Sequence, residues 1–228
     1  MEITSVIFVH NAPNKARAEL ATRSLDSLIQ TTRKLPCELI VINNGSNLLP
    51  RGGVTHYIRN ANNLHFGYAR NQGLKLSSGE YIAITDNDII FEQGWLEECL
   101  SILKNRGERK LFATPLPVDK AHRTRKYARE PFLLNGVEHI VNCFSGSNCW
   151  VMKREDFEAI GYFRHHRIAG TKWAQQYERI GYAVASTLKP MAQDKGLKGT
   201  EYAGYSKAVS VKMEKHFTDG SIIDINEE

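Results

Sequence analysis

Apolar and polar positions follow two periods along the first hundred residues. Thr4–Val9 is a short run rich in β-branched side chains, and Lys15–Thr32 then carries Ala18, Leu20, Leu25, Leu28 and Ile29 at helical spacing. Pro36 punctuates the chain, and Glu38–Ile42 is a continuous apolar run of the kind that a parallel sheet covered on both faces requires. Val54–Ile58 reads as a strand, Phe66–Leu76 as a helix stopped by Ser77-Ser78-Gly79, and Tyr81–Thr85 as a strand. Trp95–Leu103 reads as a helix and Lys110–Thr114 as the next strand. This alternation predicts βαβ units with right-handed crossovers: an α/β fold, its mixed, mostly parallel sheet carrying helices on both faces.

The second half is less regular. Pro115–Pro131 is loop-like and basic, Gly136–Cys143 and Asn148–Met152 read as strands, and Arg154–Ile160 and Lys172–Ile180 read as helices ended by Gly161 and Gly181. Tyr182–Leu188 reads as a strand, Lys189–Lys215 has no single reading, and the last dozen residues are polar.

Ligands of open α/β sheets bind beyond the carboxyl ends of the strands. The residues at those positions are His10-Asn11, Asn43-Asn44, Arg59-Asn60 and Asp86-Asn87-Asp88, and all are polar. Asp86 and Asp88 are one residue apart at a predicted strand end, and period-two geometry points both carboxylates to one side. Such a pair suits Mg²⁺ or Mn²⁺ bridging to substrate phosphates. The spacing alone is common by chance, and its place after an apolar strand gives it weight.

Composition narrows the class without naming it. The chain has 228 residues with ordinary hydrophobic and charged fractions, which excludes disordered and low-complexity classes. No apolar run approaches the roughly 20 residues of a membrane helix, and Met1–Val9 reads as a first strand, not a signal peptide. Cys37, Cys99, Cys143 and Cys149 show no Cys-x-x-Cys spacing and read as small buried hydrophobes of a reducing compartment. A cytoplasmic location is therefore expected. The net charge of +5 permits an anionic ligand without demonstrating one.

The order of motifs is more specific. Asn63-x-x-x-Gly67-x-Ala69-Arg70-Asn71-x-Gly73 precedes Ser78-Gly79-Glu80-Tyr81-Ile82-Ala83-Ile84-Thr85-Asp86-Asn87-Asp88, and Asn43-Asn44-Gly45-Ser46 follows the second strand. Over roughly residues 4–105 this closely resembles the family 2 glycosyltransferases of the GT-A fold, with two extra residues before Gly67. A weaker resemblance covers Ser145–Phe163, where Gly146-Ser147-Asn148-Cys149-Trp150 matches the acceptor-side segment. The resemblance implies one GT-A domain over residues 1–228, with a nucleotide-sugar-binding half, 1–105, and an acceptor-side half, 106–228.

The resemblance also implies roles. Asp86 and Asp88 would hold Mn²⁺ or Mg²⁺ on the diphosphate of a nucleotide-sugar donor, UDP-linked by family habit. Asn43 stands where the family has an aspartate accepting from the uracil N3–H, a bond that an amide oxygen can also accept. His10, Asn11, Arg59, Asn63, Arg70 and Asn87 would line the nucleotide, and Gly146 and Ser147 would lie near the sugar. Asn71 and Gly73 read as packing residues and Trp150 as core.

The pattern breaks where inverting members carry a Glu-Asp pair, which here falls on Ala169-Gly170. Three explanations stand: His165, His166 or Glu178 is the general base, the enzyme is retaining, or the domain binds donor without turnover. The segment that often supplies a third metal ligand holds no His, and Asp194 is its oxygen donor. The basic stretch Lys120–Arg129 reads as a solvated loop or as a dock for a polyanionic acceptor such as DNA or lipopolysaccharide. A single-addition sugar transferase is the expectation. The alternatives are a non-catalytic sugar-nucleotide or glycan-binding module and a nucleotidyltransferase, against which His10-Asn11-Ala12-Pro13 offers no Gly-rich phosphate loop.

Overall fold

The computed structural model describes residues 2–12, 14–117, 132–134, 136–139, 141–142, 149–163 and 169–194. The chain divides into two compact units, Met1–Gly196 and Leu197–Glu228, and all described residues belong to the first. Their order is β1 (Thr4–His10), α1 (Lys15–Thr32), β2 (Cys37–Asn44), β3 (His56–Asn60), α2 (Phe66–Leu76), β4 (Tyr81–Thr85), β5 (Ile89–Phe91) and α3 (Trp95–Lys104). There follow β6 (Leu111–Pro117), β7 (Phe132–Leu134), β8 (Val137–His139), β9 (Val141–Asn142), β10 (Cys149–Lys153), α4 (Arg154–Ile160), α5 (Ala169–Arg179) and β11 (Ala183–Asp194).

Among the described residues, one mixed sheet runs β3-β2-β1-β4-β10-β6-β11-β5, with β9 also on β11, and β7 and β8 form a separate hairpin. Strands β1 to β4 are parallel, and β10 enters antiparallel between β4 and β6. The α/β architecture with helices on both faces is as expected. Three details differ. β5 is too short to carry a sequence signal, β11 continues past Leu188 to Asp194, into the segment without a single reading, and β8 and β9 are separate strands within Gly136–Cys143. β11 can bend because its register on β6 shifts between Ser186 and Ala192, and its last three residues then pair with β5.

Alternation along β1 feeds two cores. Val6 and Phe8 pack with Leu25 and Leu28 of α1 and with Trp95 and Ile102 of α3. Ile7 and Val9 pack with Ala69 and Leu74 of α2 and with Trp173 and Tyr177 of α5. Every residue of β1 is buried, His10 at its carboxyl end included. A Cβ at Gly73 would come within 2.6 Å of Ile7 Cγ2, so glycine lets α2 lie close on the sheet. Cys99 and Cys149 are fully buried free thiols, Cys37 is half-buried, and Cys143 lies outside the described residues. No helix among the described residues is long and apolar enough to cross a membrane.

At the amino edge, Glu38 ties three segments together. Its carboxylate accepts from Ser5 Oγ, from the Ser78 backbone N–H and Oγ, and from the Gly79 N–H. Burial alone would raise its pKa, but these hydrogen bonds outweigh it and hold the group below the ordinary 4.5. A depressed carboxylate contributes stability above its unfolded-state pKa and loses it as pH falls through the folded value. Glu38→Gln is expected to cost about 1–3 kcal/mol near neutral pH. In urea denaturation that gap should close as the pH drops below 4.5.

Candidate functional site

The carboxyl ends of β1, β2 and β4 lie side by side, since His10 pairs with Asn43 and Phe8 with Thr85. The polar residues there form two networks, one on each face. On the α1 face, Asn43 is fully buried. Its Nδ2 donates to Leu48 O at 3.0 Å and to Tyr57 Oη at 2.9 Å. Its Oδ1 accepts from Ser46 N at 2.9 Å and from Ser46 Oγ at 2.6 Å. The amide expected to meet a base is thus engaged within the fold. His10 Nδ1 lies 2.7 Å from Ser46 Oγ. Burial, then the charge of Arg51, pushes the His10 pKa down to about 4.

On the α2 face, Asn44 Nδ2 donates to Asn63 Oδ1 at 2.9 Å, and Asn44 Oδ1 accepts from Asn60 Nδ2 and the Leu64 N–H, both at 3.0 Å. Asn60 and Gln72 exchange two hydrogen bonds, at 2.8 and 3.1 Å. Gly45 joins the turns, with φ +75°, and a Cβ there would meet Asn63 N at 2.4 Å. The two extra residues before Gly67 carry His65 at φ 73°, a positive value unusual for a residue with a side chain.

Asp86 and Asp88 are both half-buried beyond β4. They are not answered from one side. Asp86 pairs with Arg70 of α2, while Asp88 Oδ2 is 3.2 Å from Arg17 Nη1 of α1, a helix on the other face. The reason is local: β4 ends at Thr85 and Asn87-Asp88 is a turn, so strand alternation stops before the second carboxylate. Arg70 is 2% exposed, and its guanidinium stands over the Phe66, Phe163 and Trp150 rings at 4.9, 5.4 and 5.8 Å. Asn87 Nδ2 donates to Asn11 O at 2.9 Å, closing the β4–β5 turn onto the end of β1.

The remaining candidates divide. Arg59 is exposed on β3. Asp194 ends β11 with its backbone paired to Ile89, the residue after Asp88. Glu178 sits apart. It lies in the last turn of α5, and Gly181 N–H donates to its carbonyl just before β11 begins beside Leu111. Val151 pairs with both Ala83 and Ala113, so Leu111 is level with Tyr81, the start of β4, at the edge opposite Asp86. Gly146, Ser147, His165, His166 and the stretch Lys120–Arg129 lie outside the described residues. Trp150 is core, and Asn71 holds Phe163 through hydrogen bonds of 2.8 and 3.0 Å. Ser46 enters the site from the Asn43-Asn44-Gly45-Ser46 turn, whereas Arg17, Tyr57 and Gln72 enter it from outside the motifs, and of these only Arg17, a cation at a helix start after β1, carried a usable signal.

Among the described residues no group of three His, Cys, Asp or Glu side chains gathers as a metal site. Asp86 and Asp88 make an all-oxygen pair that a hard divalent cation and phosphate oxygens can complete.

A model of glycosyl transferase family 2 matches residues 5–161. No curated protein matches. Residues 1–349 of S. aureus TarS in complex with UDP-GlcNAc superpose with a TM-score of 0.62 at 16% identity, covering 89% of this chain and 61% of that one. GalNAc-T7 with UDP, GalNAc and Mn²⁺ superposes with a TM-score of 0.59 at 15% identity, covering 92% of this chain and 48% of that one. The chain thus spans less than two thirds of either neighbour, and at these identities the likeness is one of fold, the GT-A fold.

Asp86→Asn is expected to cost about 2–4 kcal/mol in chemical denaturation, because it leaves the buried Arg70 charge without its carboxylate. Asp88→Asn should cost about 1 kcal/mol or less, since Arg17 can turn to water. Equal losses would contradict this division.

Proposed function

The chain belongs to glycosyl transferase family 2, and we propose on that premise that it transfers a single sugar from a nucleotide donor, a UDP-sugar, to an acceptor hydroxyl. The observation that carries this reading is the Asp86–Asp88 pair, just past the end of a central parallel strand and inside the matched segment. Asp86 and Asp88 would hold Mn²⁺ or Mg²⁺, and the backbone pairing of Asp194 with Ile89 supports Asp194 as a further ligand. Bound there, the cation supplies Lewis-acid neutralisation of the leaving diphosphate. Arg17 and Arg70 would hold the two carboxylates in place through their ion pairs. His10, Asn11, Arg59, Asn63, Arg70 and Asn87 would form the nucleotide side of the site, with Gly146 and Ser147 toward the sugar. Asn43 would shape that side through Ser46 and Tyr57.

The general base is assigned to His165 or His166. Phe163, the last described residue before them, lies against Arg70, which pairs with Asp86. A histidine near its ordinary pKa can take a hydroxyl proton near neutral pH. The position of Glu178 at the opposite sheet edge argues against it. A second reading, donor binding without transfer, is favoured by α5 beginning on Ala169-Gly170, which offers no carboxylate. Lys120–Arg129 would bind the acceptor if that is a polyanion.

Nucleotide sugars screened by thermal stabilisation, with and without Mn²⁺, test the donor. A true donor at a hundred times its Kd should add roughly 2.7 kcal/mol of stability, and EDTA should abolish the shift. Release of UDP from that donor should fall by at least about a hundredfold in Asp88→Ala, a loss of about 2.7 kcal/mol in transition-state stabilisation. No shift with any nucleotide sugar would remove the donor reading, and binding without UDP release would favour the second reading.

A further inference from the structure

His10 is the last residue of the central strand and is 2% exposed. Its ring has one nitrogen fastened and one bare. Nδ1 lies 2.7 Å from Ser46 Oγ, whereas Nε2 is buried with no hydrogen-bond partner among the described residues. Buried polar atoms rarely go unpaired, and one at a strand's carboxyl end calls for an explanation.

The surrounding network decides which proton His10 carries. The Asn43 amide is oriented by backbone groups, since its Nδ2 faces Leu48 O and its Oδ1 faces the Ser46 N–H. Ser46 Oγ therefore donates its one proton to Asn43 Oδ1. It has none left for His10, so His10 Nδ1 carries the hydrogen and donates to Ser46. In a neutral imidazole the other nitrogen is then an acceptor. Burial, with Arg51 nearby, holds the pKa near 4, which keeps the ring neutral at physiological pH. Nε2 is a desolvated acceptor waiting for a donor. Asn43 cannot serve instead, because each of its amide atoms already makes two hydrogen bonds.

The geometry points to His10 as the residue that reads the base of the nucleotide donor, its Nε2 accepting from a ring N–H on the base's pairing edge. Uracil, thymine and guanine present such an N–H. Cytosine presents a lone pair at the matching ring position, which would face the Nε2 lone pair. A site that must satisfy a buried polar atom rejects the analogue lacking its partner far more strongly than a greasy pocket does. The role expected of Asn43 at the end of β2 thus passes to its register partner on β1. This assignment rests on the nucleotide-donor reading above.

Titration calorimetry of the full chain with UDP, GDP, CDP and N3-methyl-UDP, in Mn²⁺, tests it. The wild type should bind UDP, or GDP if guanine is the base, about tenfold or more tighter than CDP. If uracil is the base, N3-methyl-UDP should also bind about tenfold or more weaker than UDP. His10→Ala should lower the preferred nucleotide to the CDP level while leaving CDP itself unchanged. His10→Gln, which keeps an acceptor, should restore part of the preference. The wild-type comparison of UDP with N3-methyl-UDP needs no variant to fold. Unchanged UDP-to-CDP discrimination in His10→Ala would overturn the role of His10 and leave the donor reading standing. Failure of every nucleotide to bind the wild type would remove the donor reading and this role with it.

Discussion

A guanidinium taken out of water holds this site together. Arg70 is buried from α2 with Nε and Nη1 unpartnered among the described residues, three aromatic rings around it and Asp86 on its remaining nitrogen. An ion buried in that way is tolerated only where its counter-charge and surroundings are in place. α2 can therefore dock on the sheet only if β4 ends where it does, Trp150 arrives on β10, and Phe163 folds over from beyond α4. The neighbouring Asn71 enforces the last condition by bonding both backbone groups of Phe163. One helix thus pairs with Asp86 and ties Phe163 to the carboxyl edge of the sheet.

The same constraint explains why the strand ends are built from amides. β1, β2 and β4 are buried on both faces, so polar residues at their carboxyl ends and beside them must find partners inside the fold. Asn43, Asn44 and Asn60 do so with neutral side chains that bond two or three neighbours each. Charge is reserved for Asp86 and Asp88, each matched by an arginine from a different helix. In the proposed reading a divalent cation competes with those guanidiniums for carboxylate oxygens. A diphosphate brings the negative charge that offsets the competition, so cation and nucleotide should bind cooperatively.

Much of this was legible from periodicity. α1, α2, β4 and α4 fall where the apolar spacing puts them, because the helices repeat apolar residues along one face and β4 is a continuous apolar run between Ser78-Gly79 and Asp86. β5 was not legible, since three residues hold too little pattern and the strand exists only through pairing with β11. The site residues were found by position after each strand, but their geometry was not. Period-two reasoning put Asp86 and Asp88 on one side, and the turn at Asn87 undid it. Asn43 carried the expected chemistry, yet its amide is consumed by Ser46, Leu48 and Tyr57, contacts that no local pattern announces. Counting along α5 put the expected carboxylate pair on Ala169-Gly170, and Glu178, the alternative, ends the helix beside the start of β11, at the edge opposite Asp86.

The most direct test of the central claim is the binding of Mn²⁺ to the full chain, followed by electron paramagnetic resonance as UDP is added. Weak binding without nucleotide, rising to one Mn²⁺ per chain with UDP and lost in Asp88→Asn, is the expected result. Mn²⁺ binding that UDP does not strengthen, or that Asp88→Asn leaves intact, would contradict it.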